Sequence, residues 1–110
     1  MQLNVALVTG AILIAASPVL GASFVWFAGA DCTGTVIADV PDFPTGDCFG
    51  LPNRATAKSI SFSGVPSVVE FFQSGGGHDQ CTNGPFATFG GGSGCANGPN
   101  GFNIESFIYD

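Results

Sequence analysis

The sequence predicts an all-β fold, a β-sandwich of two repeated four-stranded motifs held by two disulfides. Three observations carry that expectation. The chain repeats itself at an offset of 47 residues, its apolar positions alternate with period two, and its four cysteines all follow an apolar leader.

The leader comes first in the chain. "MQLNVALVTGAILIAASPVLGAS" contains no acidic or basic side chain, and its apolar run from Val5 to Ala16 has the length of a signal-peptide core and is short for a membrane span. Pro18 breaks a helix there, and Gly21, Ala22 and Ser23 offer small residues for cleavage. We therefore expect a signal peptide over residues 1–22 and one secreted domain over residues 23–110, with no membrane span after cleavage. Within that domain the first repeat is set at 23–64 and the second at 65–110.

Composition bounds the partners. The formal charge is −6, and Arg54 and Lys58 are the only basic side chains. Such a surface cannot neutralise phosphates, so neither nucleic acid nor anionic lipid is expected as a partner. With only 9% charged residues and 17 glycines, the polar surface must come from Gly, Ser, Thr and Asn. That suits short strands and long turns.

Cys48 superposes on Cys95 and Ser59 on Ser106 at the same offset of 47. "SISF" then lies over "SFIY", and upstream "VWF-AGAD-CTG" lies over "EFF-QSGGGHDQ-CTNG". The second hairpin is longer by the stretch around "SGGGH", where glycines tolerate the turn angles required. Each unit reads as an apolar strand ("FVWFA"; "SVVEFF"), a Gly-rich hairpin, a second short strand ("TVIADV"; "PFATF") and a closing alternating strand ("KSISFS"; "NIESFIY"). In "KSISFS", Ile60 and Phe62 point one way and the serines the other. The expected core is Phe24, Phe27, Ile60, Phe62, Val69, Phe71, Phe89, Phe107 and Tyr109. Prolines 41, 44, 52, 66, 85 and 99 are placed between strands or at their ends.

Cys32, Cys48, Cys81 and Cys95 form an even set in a chain read as secreted, which points to two disulfides. Zinc is not expected, because no C-x-x-C pair is present and His78 is the single histidine.

The stretch "FAGADCTG", Phe27 to Gly34, resembles the signature hairpin of the βγ-crystallin Greek-key motif: an aromatic, four residues, a second aromatic, one residue, then glycine. Cys32 stands at the second aromatic position. Ser59 and Ser106 match the serine that the closing strand of each motif carries in that family. The second unit departs from the pattern, with nine places between Phe72 and Cys81 and Gly84 one place late. The resemblance implies a Greek-key β-sandwich, and small secreted crystallin-like proteins of microbes, fungi especially, look similar in size and cysteine use. A cysteine in place of the corner aromatic can tie the hairpin covalently to a later strand. Duplication then implies the same bond in both halves, Cys32 with Cys48 and Cys81 with Cys95. A loop of about 16 residues is worth roughly 3 kcal/mol in the chain-entropy treatment. The residues alone leave two other connectivities open.

Calcium is the family's ligand, held by two Asn or Asp, any two residues, Ser or Thr, then Ser. Ahead of Ser59 those places hold Arg54, Ala55 and Lys58; ahead of Ser106 they hold Gly101, Phe102 and Glu105. Both segments lack the hard oxygens that calcium requires, so no metal and no cofactor is expected. His78–Asp79 reads as a solvated turn, and Asp39, Asp42 and Asp47 as a solvated acidic loop, so no catalytic residue is assigned and the chain is not read as an enzyme. Some members of the wider crystallin-like group are toxins and one branch inhibits metalloproteases. The expectation is therefore a monomeric, secreted, non-catalytic interaction protein, toxin-like or effector-like, acting on an extracellular protein or cell-surface component. A secreted protease inhibitor using the exposed "DVPDFPTGDC" segment, Asp39 to Cys48, is the alternative. Candidate interaction residues are Trp26, for which a core role is also read, and the lengthened hairpin Ser74, Gly75, Gly76, Gly77, His78, Asp79 and Gln80.

Overall fold

A computed structural model describes residues 21–52, 55–75 and 80–110. Six strands run in chain order: β1 (Ala22–Phe27), β2 (Val36–Phe43), β3 (Phe49–Gly50), β4 (Ser59–Gln73), β5 (Ala87–Asn97) and β6 (Ile104–Tyr109). Among the described residues there is no helix, as the absence of a 3.6-residue apolar period predicts. The expected signal segment lies outside the described residues except for Gly21 and Ala22. Ala22 is already part of β1, one residue inside that expected segment, and is 1% exposed.

All pairings are antiparallel, in the order β2-β1-β4-β6-β3, with β5 along the other edge of β4. The organising element is β4. Its first part, Ser59 to Ser63, pairs with β1, and its last part, Val69 to Gln73, pairs with β6. Between them the register against β5 shifts twice, from Phe62 to Val65 and from Val65 to Val68. Gly64 (φ 74°) and Pro66 sit in that interval. The sequence reading placed Pro66 between two separate strands; the structure instead carries one strand through it, because a proline at a register break removes no ladder hydrogen bond.

The bend curls the sheet into two facing layers. One is β2, β1, the start of β4 and the end of β5; the other is β3, β6, the end of β4 and the start of β5. Across them Phe24 of β1 stacks on Phe107 of β6 with ring centroids 3.8 Å apart. Phe62 and Phe71, both from β4, meet at 5.7 Å around the bend. Phe24, Ile60, Phe62, Val69, Phe71, Phe107 and Tyr109 are buried as expected. Phe27 is only half-buried, and Trp26 takes the inward place beside Phe24. That is the period-two rule applied one residue earlier.

The repeat is visible in the registers. Gly50 lies opposite Ser106 and Ser59 lies opposite Asn97, and each pair becomes the other when the halves are exchanged at the offset of 47. The third strand of each half thus lies in the other half's layer. β3 crosses to β6, and the end of β5 crosses to the start of β4.

This exchange corrects the disulfide pairing. The bonds are Cys32–Cys95 and Cys48–Cys81, with Cα separations of 6.1 and 6.0 Å, and not Cys32–Cys48 and Cys81–Cys95. Each hairpin cysteine meets the cysteine carried by, or leading into, the third strand of the opposite half, because that strand is the one lying beside it. The two bonds are still equivalent under the repeat. They close loops of 63 and 33 residues, worth about 4 kcal/mol each in the chain-entropy treatment.

Glycines shape β5. A Cβ on Gly94 would lie 2.7 Å from the Phe62 ring, so glycine there lets the ring rest against the strand. The run "GGGSGC" therefore serves as strand and not as loop.

Candidate functional site

Hydrogen bonds fasten the two hairpins to the framework in related ways. In the first, the buried Ser59 hydroxyl accepts from Cys32 N at 2.8 Å and donates to the Gly29 carbonyl at 2.6 Å. In the second, the Ser106 hydroxyl accepts from Cys81 N at 3.2 Å. Cys32 and Cys81 share the left-handed backbone conformation, at φ 55° and 56°. The two serines marked by the repeat are thus the anchors of the two hairpins.

Each hairpin also carries contacts of its own. Asp31 N donates to Asn97 Oδ1 at 2.7 Å, and Asn97 Nδ2 donates to Asp31 Oδ1 at 3.1 Å. This clamp joins the first hairpin to β5. Gly50 holds the place of Asn97 in the other half, so the clamp has no counterpart there. The second hairpin is held instead by Ser74 N donating to the Asn103 carbonyl at 2.8 Å, Asn103 N donating to Ser74 Oγ at 2.9 Å, and Gly75 N donating to Glu105 Oε1 at 3.2 Å. Asn103 Nδ2 also donates to Thr56 Oγ1 at 3.0 Å. The loops around Thr56, Ser74 and Asn103 are therefore joined in one cluster, and the adjacent Phe102 is 45% exposed. The sequence reading found neither the Asp31–Asn97 clamp nor the role of Asn103. Only the break in the repeat, Gly50 against Asn97, points to the first.

Of the candidate interaction residues, Ser74 and Gly75 lie in this loop cluster and Gln80 is exposed at the far end of the hairpin. Gly76, Gly77, His78 and Asp79 lie outside the described residues. Trp26 is 0% exposed, packed beside Phe49 and Phe107 at centroid distances of 5.7 and 6.0 Å. It is a core residue and offers no surface to a partner; its Nε1 is buried without a hydrogen-bond partner among the described residues. The segment expected as a loop from Asp39 to Cys48 is strand as far as Phe43. Pro44 to Cys48 remains loop, pinned where Gly46 N donates to the Tyr109 carbonyl at 2.9 Å.

Tyr109 closes the other side. Its hydroxyl accepts from Ala22 N at 2.9 Å and donates to the Phe43 carbonyl, tying the end of β6 to β1 and β2.

Glu105 is 7% exposed and engages Gly75. Among the described residues no group of three or more His, Cys, Asp or Glu could hold a metal ion. An open depression of about 100 Å³ is lined by Val68, Glu70, Ile108, Tyr109 and Asp110. It is far smaller than the several hundred Å³ usual for small-molecule sites, and its lining holds no nucleophile paired with a base. Among the described residues no helix is long and apolar enough to cross a membrane. No protein-family model, curated protein or solved structure matches this chain.

Proposed function

We propose that this protein is a secreted, βγ-crystallin-like Greek-key module that works by binding outside the cell and not by catalysis, in the manner of a toxin or effector. The observation that carries the reading is the closed, cross-linked framework. Two disulfides join the halves, aromatic rings fill the space between the layers, and the largest difference between the repeats is confined to one surface hairpin. The anchoring serines Ser59 and Ser106 support the family resemblance. The two disulfides and the apolar leader support secretion.

The residues that would bind in this reading are those of the second hairpin, Ser74 to Gln80, with Asn103 and exposed Phe102. The protease-inhibitor reading draws on the loop Pro44 to Asp47, pinned by Gly46 and by Cys48–Cys81, which presents an exposed segment at low ordering cost.

Purified protein added to fungal, bacterial and plant cells, and separately to a protease panel, tests both. Dose-dependent cell binding that is lost when Ser74 to Gln80 is cut back to the length of the first hairpin supports the module reading. Protease inhibition without cell binding, abolished by changes at Pro44 to Asp47, replaces it with the inhibitor reading. Turnover of any substrate by the purified protein overturns both.

A further inference from the structure

Asparagine is followed by glycine three times, at Asn83–Gly84, Asn97–Gly98 and Asn100–Gly101. In such a pair the glycine nitrogen can attack the asparagine side-chain carbonyl, because no Cβ shields it. Whether it does so depends on how firmly the folded chain holds the carboxamide and the glycine N–H.

Asn97 is exposed but held at its carboxamide and at the N–H that follows it. Its carboxamide is engaged at both ends by Asp31, and Gly98 N donates to the Lys58 carbonyl at 2.9 Å. The space around Gly98 is also filled, since a Cβ there would lie 2.7 Å from the Phe102 carbonyl oxygen. Asn83 is not free of partners either. Asn100 differs. It is exposed in the turn closed by Phe102 N donating to the Pro99 carbonyl at 2.9 Å. Neither its carboxamide nor Gly101 N has a hydrogen-bond partner among the described residues, and nothing lies within 4 Å of where a Gly101 Cβ would be.

We propose that Asn100 is a site of spontaneous deamidation, and that the Asp31–Asn97 clamp protects the neighbouring Asn97 from the same fate. The Gly101 nitrogen loses its proton and bonds to Asn100 Cγ; the C–N bond of the carboxamide breaks and ammonia leaves, giving a five-membered succinimide. Water then opens either carbonyl, yielding aspartate or isoaspartate. Both products add a carboxylate to a chain whose formal charge is already −6. The isoaspartate route also lengthens the main chain of the β5–β6 turn, beside exposed Phe102. This chemistry is independent of the binding role proposed above.

The test is to hold the oxidised protein, and in parallel a reduced and denatured sample, at mildly alkaline pH and to quantify aspartate and isoaspartate at each site by peptide mass spectrometry. In the folded protein Asn100 converts several-fold faster than Asn97; in the denatured chain the two rates converge. Asp31→Ala accelerates Asn97 and leaves Asn100 unchanged. Equal rates at Asn97 and Asn100 in the folded protein, or faster conversion at Asn97, would overturn the proposal. No acceleration of Asn97 in Asp31→Ala would remove the clamp from it.

Discussion

In the first half of the molecule the hairpin between β1 and β2 is short, and its contacts are to the end of β5, contributed by the other half, and to Ser59: the Asp31–Asn97 clamp, the two Ser59 bonds and Cys32–Cys95. In the second half the hairpin between β4 and β5 is longer, and its described contacts run to Asn103, Glu105 and Ser106 on the approach to β6 and within it, plus Cys48–Cys81. The buried framework is the same in both, down to the left-handed cysteine and the serine beneath it. The two halves thus agree at the anchor beneath the hairpin and differ in the exposed contacts above it. A hairpin anchored at its base can lengthen without shifting the strands below it.

The largest effect that can break this comparison is loss of a crossing disulfide. Cys32→Ser with Cys95→Ser removes closure of a 63-residue loop and is expected to cost about 4 kcal/mol. Cys48→Ser with Cys81→Ser, closing 33 residues, costs about half a kcal/mol less by the same treatment. Denaturant unfolding of both pairs measures it. A cost near zero for either pair would mean that strand exchange holds the halves without covalent help.

Next come the anchoring serines. Ser59→Ala strands Cys32 N and the Gly29 carbonyl and should cost about 1–3 kcal/mol. Ser106→Ala should cost less, because the equivalent bond to Cys81 N is longer, 3.2 against 2.8 Å. The reverse order, by thermal or chemical unfolding, would show that the longer hairpin leans harder on its serine than the shorter one.

The smallest effect is at the clamp. Asp31 and Asn97 are exposed, so Asp31→Ala should lower stability by less than about 1 kcal/mol. Its signature is local: faster amide exchange at Asp31 and Gly98, with β6 unchanged. Uniform acceleration across the sheet would mean that the clamp supports the whole fold.

How much of this was legible beforehand follows from what each signal encodes. Alternation marks which faces are apolar, so Ile60, Phe62, Phe71 and Phe107 were readable as core. Phe27 and Trp26 were confused because four consecutive apolar residues, "FVWF", give period two no phase. The repeat made Ser59 and Ser106 equivalent and required two equivalent disulfides. It could not choose between bonds within halves and bonds across them, since both sets obey the same symmetry. That choice is made by the crossing of β3 and the end of β5, and a two-residue strand and a glycine run carry almost no strand signal of their own. Pro66 misled for a related reason: it usually ends a strand, and here it occupies a bend. Ser74 and Gly75 were legible as part of a lengthened hairpin because a repeat shows its own insertion. Asn103 and Phe102 were not, because their contacts are non-local.

Interlocked halves must stay joined when the chain is cut between them, and the sequence supplies the place to cut. Arg54 and Lys58 are the only basic residues, and both lie between Cys48 and Cys81. Trypsin acting on denatured, unreduced protein therefore separates the halves, leaving two cysteines on each side of the cut. With Cys32–Cys95 and Cys48–Cys81 the two fragments stay together on a non-reducing gel and part only when a thiol is added. Fragments that separate without reductant would place both bonds within the halves and contradict the account.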